Sequence, residues 1–180
     1  KQDLKLTPVN ITRFSHICGN YFASACSAKN VQFSATLNGA EMDGDSPSVH
    51  ILAEVDALEK VTFNFLSNAL KYTPSGGTIQ LGLTTTPDNA RIFVSDTGPG
   101  ISKENQQNLF KAFSQIDDSA TRDYEGTGLG LAFVKELAHA MNGAVGVDSF
   151  FILTLTTVDS TVARSTTVSP LLFAALTSEL

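Results

Sequence analysis

Between Asp56 and Tyr72 the chain writes an apolar helix with a polar stripe set into it. Leu58, Val61, Phe65, Leu66, Ala69 and Leu70 recur at helical spacing. Asn64, Asn68 and Lys71 stand at i, i+4 and i+7, on one face of the same helix. Asparagine is a poor helix former, because its amide competes with the backbone for hydrogen bonds. Two of them one turn apart, followed by a cation, fit two descriptions. One is a solvated outer stripe. The other offers amide oxygens to a hard cation such as magnesium, with Lys71 neutralising phosphate charge. In both, the apolar side needs a second layer to pack against.

The flanking sequence supplies strands for that layer. Ile11, Phe14, Cys18, Phe22 and Ala25 predict a helix over Ile11–Lys29, with Asn30 at its end. Val31, Phe33, Ala35 and Leu37 alternate as a half-buried strand stopped by Asn38-Gly39, and Val49–Val55 reads as its partner. The asparagine helix opens at Asp56, with Glu59 three positions on in a near capping-box pattern. Ile79, Leu81 and Leu83 alternate next, and Ala90–Ser95 follows a Pro-Asp-Asn turn. Ser102 is expected to cap a short helix through Phe113. The polar stretch Ser114–Gly126 has too few apolar residues to pack and is expected to be mobile. Leu131, Val134, Leu137, Ala138 and Met141 share one side of a further helix closed by Asn142-Gly143. Ala144–Val158 is strand-like.

Pairs of strands separated by helices favour an α+β fold, a mixed, mainly antiparallel sheet covered by helices on one face. One domain is expected over 1–158, and 159–180 reads as a Ser/Thr-rich linker or C-terminal tail. Hydrophobic residues at 42% and charged residues at 17% suit a globular domain rather than a disordered chain. No apolar run approaches the roughly 18 to 20 residues of a membrane span. The chain starts without Met, so a longer parent is expected. A net charge of −6 speaks against nucleic acid as the main partner and leaves ATP open. Cys18 and Cys26 fall on one helix about 12 Å apart, too far for a disulfide. They read as small apolar groups in a reducing compartment.

Three further segments could carry chemistry. Asp96-Thr-Gly98-Pro-Gly100 leaves the end of a strand. It is either a plain turn or a carboxylate placed to accept from the exocyclic amine of adenine, beside glycines that let a ring approach the backbone. Gly126-Thr-Gly128-Leu-Gly130 opens a helix, where backbone N–H groups favour phosphate. A polar loop precedes it, whereas a dinucleotide fingerprint must follow a strand. Phe110 and Phe113 flank Lys111-Ala112 and read first as packing at a loop hinge. Arg122 is either a solvated charge or a phosphate contact made on loop closure.

In this order the four segments closely resemble the catalytic ATP-binding domain of sensor histidine kinases, in the family shared with DNA gyrase B, Hsp90 and MutL. The resemblance runs from about Leu4 to Val158. It implies a two-layer α/β sandwich of the Bergerat fold, with ATP between the asparagine helix and a lid over about Ser114–Thr127. It implies that Asn68 coordinates Mg2+ with Asn64 in support, that Lys71 and Tyr72 face the phosphates, and that Asp96 binds adenine. Gly98, Gly100 and Ile101 would make room for the base. Phe113, Gly126, Thr127, Gly128, Leu129, Gly130 and Leu131 would border the nucleotide, with Arg122 as the lid cation.

ATP-hydrolysing relatives carry a glutamate where this chain has Asn64. An amide cannot take a proton from water, so fast hydrolysis is not expected. The resemblance instead implies transfer to a histidine on a separate dimerisation domain, then to a response-regulator receiver domain. The parent would be a homodimer, with this domain cytoplasmic and in contact with neither nucleic acid nor membrane. His16, His50 and His139 lack the Glu-Leu/Ile-Arg-Thr-Pro-like run expected after a phosphoacceptor. Lys111-Ala112 replaces the usual Glu-Pro of the phenylalanine box, Gln115 stands where many members have arginine, and the last hairpin is short. Those departures motivate an alternative, a nucleotide-binding regulatory module without phosphotransfer.

Overall fold

A computed structural model describes residues 4–111, 129–147 and 150–158. In chain order the elements are β1 (Thr7–Asn10), α1 (Ile11–Ala28), β2 (Gln32–Leu37), β3 (Ala40–Glu41) and β4 (His50–Ala53). They continue with α2 (Val55–Tyr72), β5 (Thr78–Thr85), β6 (Asn89–Asp96), α3 (Lys103–Gln106), α4 (Gly130–Ala140), β7 (Ala144–Val147) and β8 (Phe151–Val158). Among the described residues the strands form one sheet in the order β1-β4-β8-β6-β5-β2-β3. β7 pairs with β8 as well, on the edge that β4 occupies further along. Every pairing is antiparallel except β2 with β5, so the sheet is mixed and mainly antiparallel, as the sequence implies.

Burial alternates along the central strands. Ile79, Leu81 and Leu83 of β5, Ile92 and Val94 of β6 and Leu153 and Leu155 of β8 are buried against the helical layer. α2 is fastened to the sheet by Phe65, fully buried, whose ring stacks on Phe151 of β8 at 5.1 Å between centroids. Burial of such a side chain contributes roughly 1.5 to 3 kcal/mol. With that anchor facing the sheet, Asn64 and Asn68 lie at the rim of the buried face, half-buried along the outward edge of α2. α1 lies beside it through Tyr21 and Phe22, both ring neighbours of Phe63 on α2.

Three local expectations are corrected. Asn38 and Gly39 both have positive φ, 51° and 86°, the backbone of a two-residue hairpin turn. They close β2 at once onto β3, with Leu37 opposite Ala40, so Val49–Val55 is not its partner. The strand in that stretch, β4, pairs with β1 and β8 instead. β1 is an edge strand that tolerates Pro8.

Second, α2 is capped by Glu54, whose carboxylate accepts from Asp56 N at 3.2 Å and Ala57 N at 2.7 Å. With the cap set two residues earlier than Asp56, Glu59 falls past the reach of a capping box and turns inward, 6% exposed. Third, Ser102 does cap α3, accepting from Asn105 N at 3.3 Å, but the helix stops at Gln106. Beyond it the bonding tightens to three-residue turns, Asn108 N to Asn105 O and Lys111 N to Asn108 O.

Both cysteines are free and buried, and burial pushes the Cys18 thiol up to about 12. Among the described residues no helix is long and apolar enough to cross a membrane.

Candidate nucleotide site

The outward edge of α2 is the site's floor. Asn68 Nδ2 donates to Asn64 Oδ1 at 3.1 Å, which ties the two amides into one row and leaves the Asn68 oxygen outside that bond. α4 begins against this row. A Cβ on Gly130 would stand 2.6 Å from Asn64 Nδ2, so only glycine lets the first turn of α4 come this close. Leu129 precedes α4 without giving it a side-chain cap. The first N–H groups of an eleven-residue helix and its positive dipole end are therefore presented beside Asn64 and Asn68.

The C-terminal end of α2 carries the cation. Lys71 Nζ lies 5.2 Å from the centroid of the Tyr72 ring, which is 39% exposed. Two backbone carbonyls of this last turn, Leu70 O and Lys71 O, accept from Lys29 Nζ at 2.6 and 3.1 Å. Lys29 is the residue after α1, on a different helix from the one it closes.

Asp96 ends β6 and is held by its own turn. Its Oδ1 accepts from Gly98 N at 2.8 Å, which leaves Oδ2 outside that bond. A side chain at 98 would come 2.7 Å from Asp96 Oδ1 and 3.1 Å from Tyr72 O, so the turn after β6 lies directly against the end of α2. Gly100 takes φ 73°, a backbone suited to glycine. Ile101 packs on the core and its carbonyl accepts from Gln106 Nε2 at 2.9 Å.

An open hollow of about 1060 Å³ lies over the helical layer, walled by Lys29, Lys60, Phe63, Asn64, Lys71 and Phe133 among others. Three lysines and no carboxylate appear in its described lining, in a chain whose net charge is −6. Asp96 and Asn68 are not in that lining, so of the polar stripe on α2 only Asn64 and Lys71 border the hollow. None of the three histidines borders it either. Glu59, on the same helix, points the other way. Burial, then the nearby Asp56 carboxylate, raises its pKa, and its Oε1 has no hydrogen-bond partner among the described residues.

The structure thus gathers Asn64, Asn68, Lys71, Tyr72, Leu129, Gly130 and Leu131 around α2 and the start of α4, with Asp96 and Gly98 beside the end of α2 and Gly100 and Ile101 further along the loop that follows β6. Phe113, Arg122, Gly126, Thr127 and Gly128, and the expected lid, lie outside the described residues. Sequence reasoning missed Lys29 and also Thr73, whose fully buried hydroxyl has no partner among the described residues. Thr73 Cγ2 and Thr97 Oγ1 would stand 2.5 and 2.8 Å from a Cβ at Gly77, so the threonine packs against the turn that leads into β5. A Thr-Pro pair after a helix was its only signal.

No cluster of three or more His, Cys, Asp or Glu exists among the described residues. The described residues thus offer no cage for a transition metal, whereas magnesium needs none. It keeps several waters and takes few protein oxygens beside those of the phosphates, and the Asn68 amide oxygen is such a donor.

Comparison with known proteins gives the chain its family. Residues 53–173 match the family model described as histidine kinase-, DNA gyrase B-, and HSP90-like ATPase. Hybrid signal transduction histidine kinase D of Dictyostelium discoideum is 34% identical over 82% of this chain, which covers 9% of that protein. The adaptive-response sensory kinase SasA of Synechococcus sp. (strain JA-3-3Ab) is 38% identical over 68% of this chain and 30% of its own length. The chain therefore spans a small part of these curated relatives. Among solved structures, full-length ShkA in complex with AMPPNP superposes with a TM-score of 0.72 at 30% identity, over 87% of this chain and 32% of that one. The nucleotide-free catalytic domain of histidine kinase ThkA, at 18% identity, shares the fold with a TM-score of 0.68 over 97% of its length. The chain belongs to the family of histidine kinase-, DNA gyrase B- and HSP90-like ATPases, and within it is an ATP-binding catalytic domain of the histidine kinase type.

Proposed function

We propose that this domain binds Mg-ATP along the outward edge of α2 and transfers the γ-phosphoryl group to a histidine on a separate dimerisation domain. The observation that carries the reading is the row of two hydrogen-bonded amides, Asn64 and Asn68, set against the uncapped start of α4. The outer oxygen of Asp96 accepts from the adenine amine. Gly98 and Gly100 keep side chains away from the base. The first N–H groups of α4 and Lys71 receive phosphate oxygens, and the Asn68 amide oxygen holds Mg2+ with Asn64 fixing its orientation. Bound magnesium neutralises the charge on the triphosphate.

Phosphoryl transfer relies on positioning and charge neutralisation more than on a base supplied by the protein. That suits an outward face with Asn64 where hydrolysing relatives have a carboxylate, and with Glu59 buried on the far side of the helix. The nucleophile is then the acceptor imidazole, which needs no deprotonation by this domain. Tyr72, Leu129 and Phe133 are exposed at 39%, 42% and 52%, and all three stand beside the floor. They give an acceptor-bearing helix an apolar surface to rest on. The parent works as a homodimer in the cytoplasm and passes phosphate on to a receiver domain.

Incubating the domain with γ-labelled ATP, Mg2+ and the parent's dimerisation domain should place acid-labile, alkali-stable label on histidine. Nucleotide binding without any label on that histidine would overturn transfer and leave a regulatory binding module. The short β7–β8 hairpin does not favour that module, since β8 still pairs with β6 over Phe151–Thr156.

A further inference from the structure

We infer that Lys29 is a positioning residue for the triphosphate, acting through the carbonyls that end α2; this rests on the Mg-ATP reading above. An α-helix leaves its last carbonyls without intrahelical partners. Here the last i to i−4 bond of α2 is Thr73 N to Ala69 O at 2.9 Å, so Leu70 O and Lys71 O lie beyond the ladder. Lys29 Nζ takes both, at 2.6 and 3.1 Å, and sets a positive charge at the negative end of the helix dipole.

The ammonium does not act alone. Gly76 N donates to Asn30 O at 2.7 Å, Asn30 Nδ2 donates to Ser75 Oγ at 3.1 Å, and Gln32 N donates to Gly77 O at 2.9 Å. Asn30 holds φ 58°, which turns the chain sharply so that Lys29 and Asn30 both face the end of α2. The corner after α1 is thereby laced to the corner after α2. Between the laced points sit Lys71 and Tyr72, the phosphate-facing pair, and Tyr72 O abuts the turn of Asp96 and Gly98. Lys29 also borders the hollow beside Lys71. Two bonds from one flexible ammonium thus fix the turn from which Lys71 extends, while the fold itself is held by α2's buried face.

The consequence is selective. Asp96 is tied by its own turn and does not depend on Lys29, so base recognition should survive its loss while phosphate recognition suffers. Lys29→Met should weaken ATP binding about tenfold, the loss expected for one charge-assisted hydrogen bond. Adenosine binding, followed by NMR titration, should stay within twofold of wild type. Lys29→Arg should recover most of the ATP affinity. Adding Lys29→Met to a Lys71→Met variant should cost little more than Lys71→Met alone, because both act on one interaction.

Equal losses for ATP and adenosine would reduce Lys29 to a prop of the fold. Unchanged ATP affinity, or full additivity with Lys71→Met, would overturn the inference while leaving the nucleotide site standing. Wild-type protein that binds adenosine and ATP equally well would instead overturn phosphate recognition itself.

Discussion

Asn68 Nδ2 and Asn64 Oδ1 meet at 3.1 Å across one turn of α2, so the two amides point as a unit. With the Asn68 nitrogen engaged, its oxygen is the atom left for a cation. Asn68→Ala should weaken nucleotide binding in the presence of Mg2+ and spare binding in EDTA. Asn64→Ala, which frees Asn68 to rotate, should cost about ten- to a hundredfold in metal-dependent affinity, as loss of a supporting shell does. Calorimetric titrations with and without metal decide it. Equal losses in both conditions would remove the metal from this edge of the helix.

Gly130 is where α4 touches Asn64, and the approach leaves 2.6 Å for a methyl group. Gly130→Ala must push the amide or the helix aside, a strain of about 1 to 3 kcal/mol. Alanine also favours a helix over glycine by about 1 kcal/mol, which offsets part of the damage to the fold. Affinity for ATP should therefore fall roughly tenfold while the thermal midpoint moves by only a few degrees. A variant that binds as wild type would show that α4 gives way freely at its start.

Asp96 spends one oxygen on Gly98 N at 2.8 Å and keeps the other for a ligand. Asp96→Ala removes both, and the lost charged hydrogen bond costs about 1.5 to 3 kcal/mol, roughly ten- to over a hundredfold in affinity. Asp96→Asn keeps an acceptor for the turn and separates the two effects. An unchanged dissociation constant in Asp96→Ala would dismiss adenine recognition here.

Glu59 lies between the helices with an oxygen unpartnered among the described residues, and burial raises its pKa. The groups acting on it are Asp56, which raises the pKa further, and Lys60, which lowers it, while on α1 its charge is felt by Cys18. The folded state then holds the proton more tightly than the unfolded chain. That contribution to stability is full below the ordinary glutamate value of 4.5 and is lost as pH rises through the elevated one. Glu59→Gln should match wild type in acid and gain on it as pH rises to neutral, because the variant has no proton to lose there. Urea denaturation across that range tests the slope, and parallel pH profiles for the two proteins would contradict it.

The stripe on α2 was legible because helical spacing alone puts Asn64, Asn68 and Lys71 on one face, at the rim of the buried face that Phe65 anchors. Asp96 reads from sequence as either a turn residue or a ligand at a strand end, and the structure shows the turn, with Oδ1 accepting from Gly98 N. Lys29 was not legible. Its partners are carbonyls of residues 70 and 71, and a backbone acceptor leaves no mark in side-chain identity. The pairing of β4 was misread because Asn38-Gly39 was taken as a stop rather than as a turn that closes its own hairpin. β1 escaped notice because four residues containing a proline carry too little alternation to announce a strand. Glu59 looked like a cap because spacing places it near the helix start, and only burial reveals where it points.

The seat of β4 has a consequence for biosynthesis. This strand is flanked on one side by β1 and on the other by β8, where Ile51 meets Thr157. An early segment of the polypeptide thus waits for a very late one before its backbone is satisfied. Contacts so distant along the chain slow folding. During translation the nascent domain keeps an open, adhesive edge until β8 clears the ribosome, and chaperones have that interval in which to guard it.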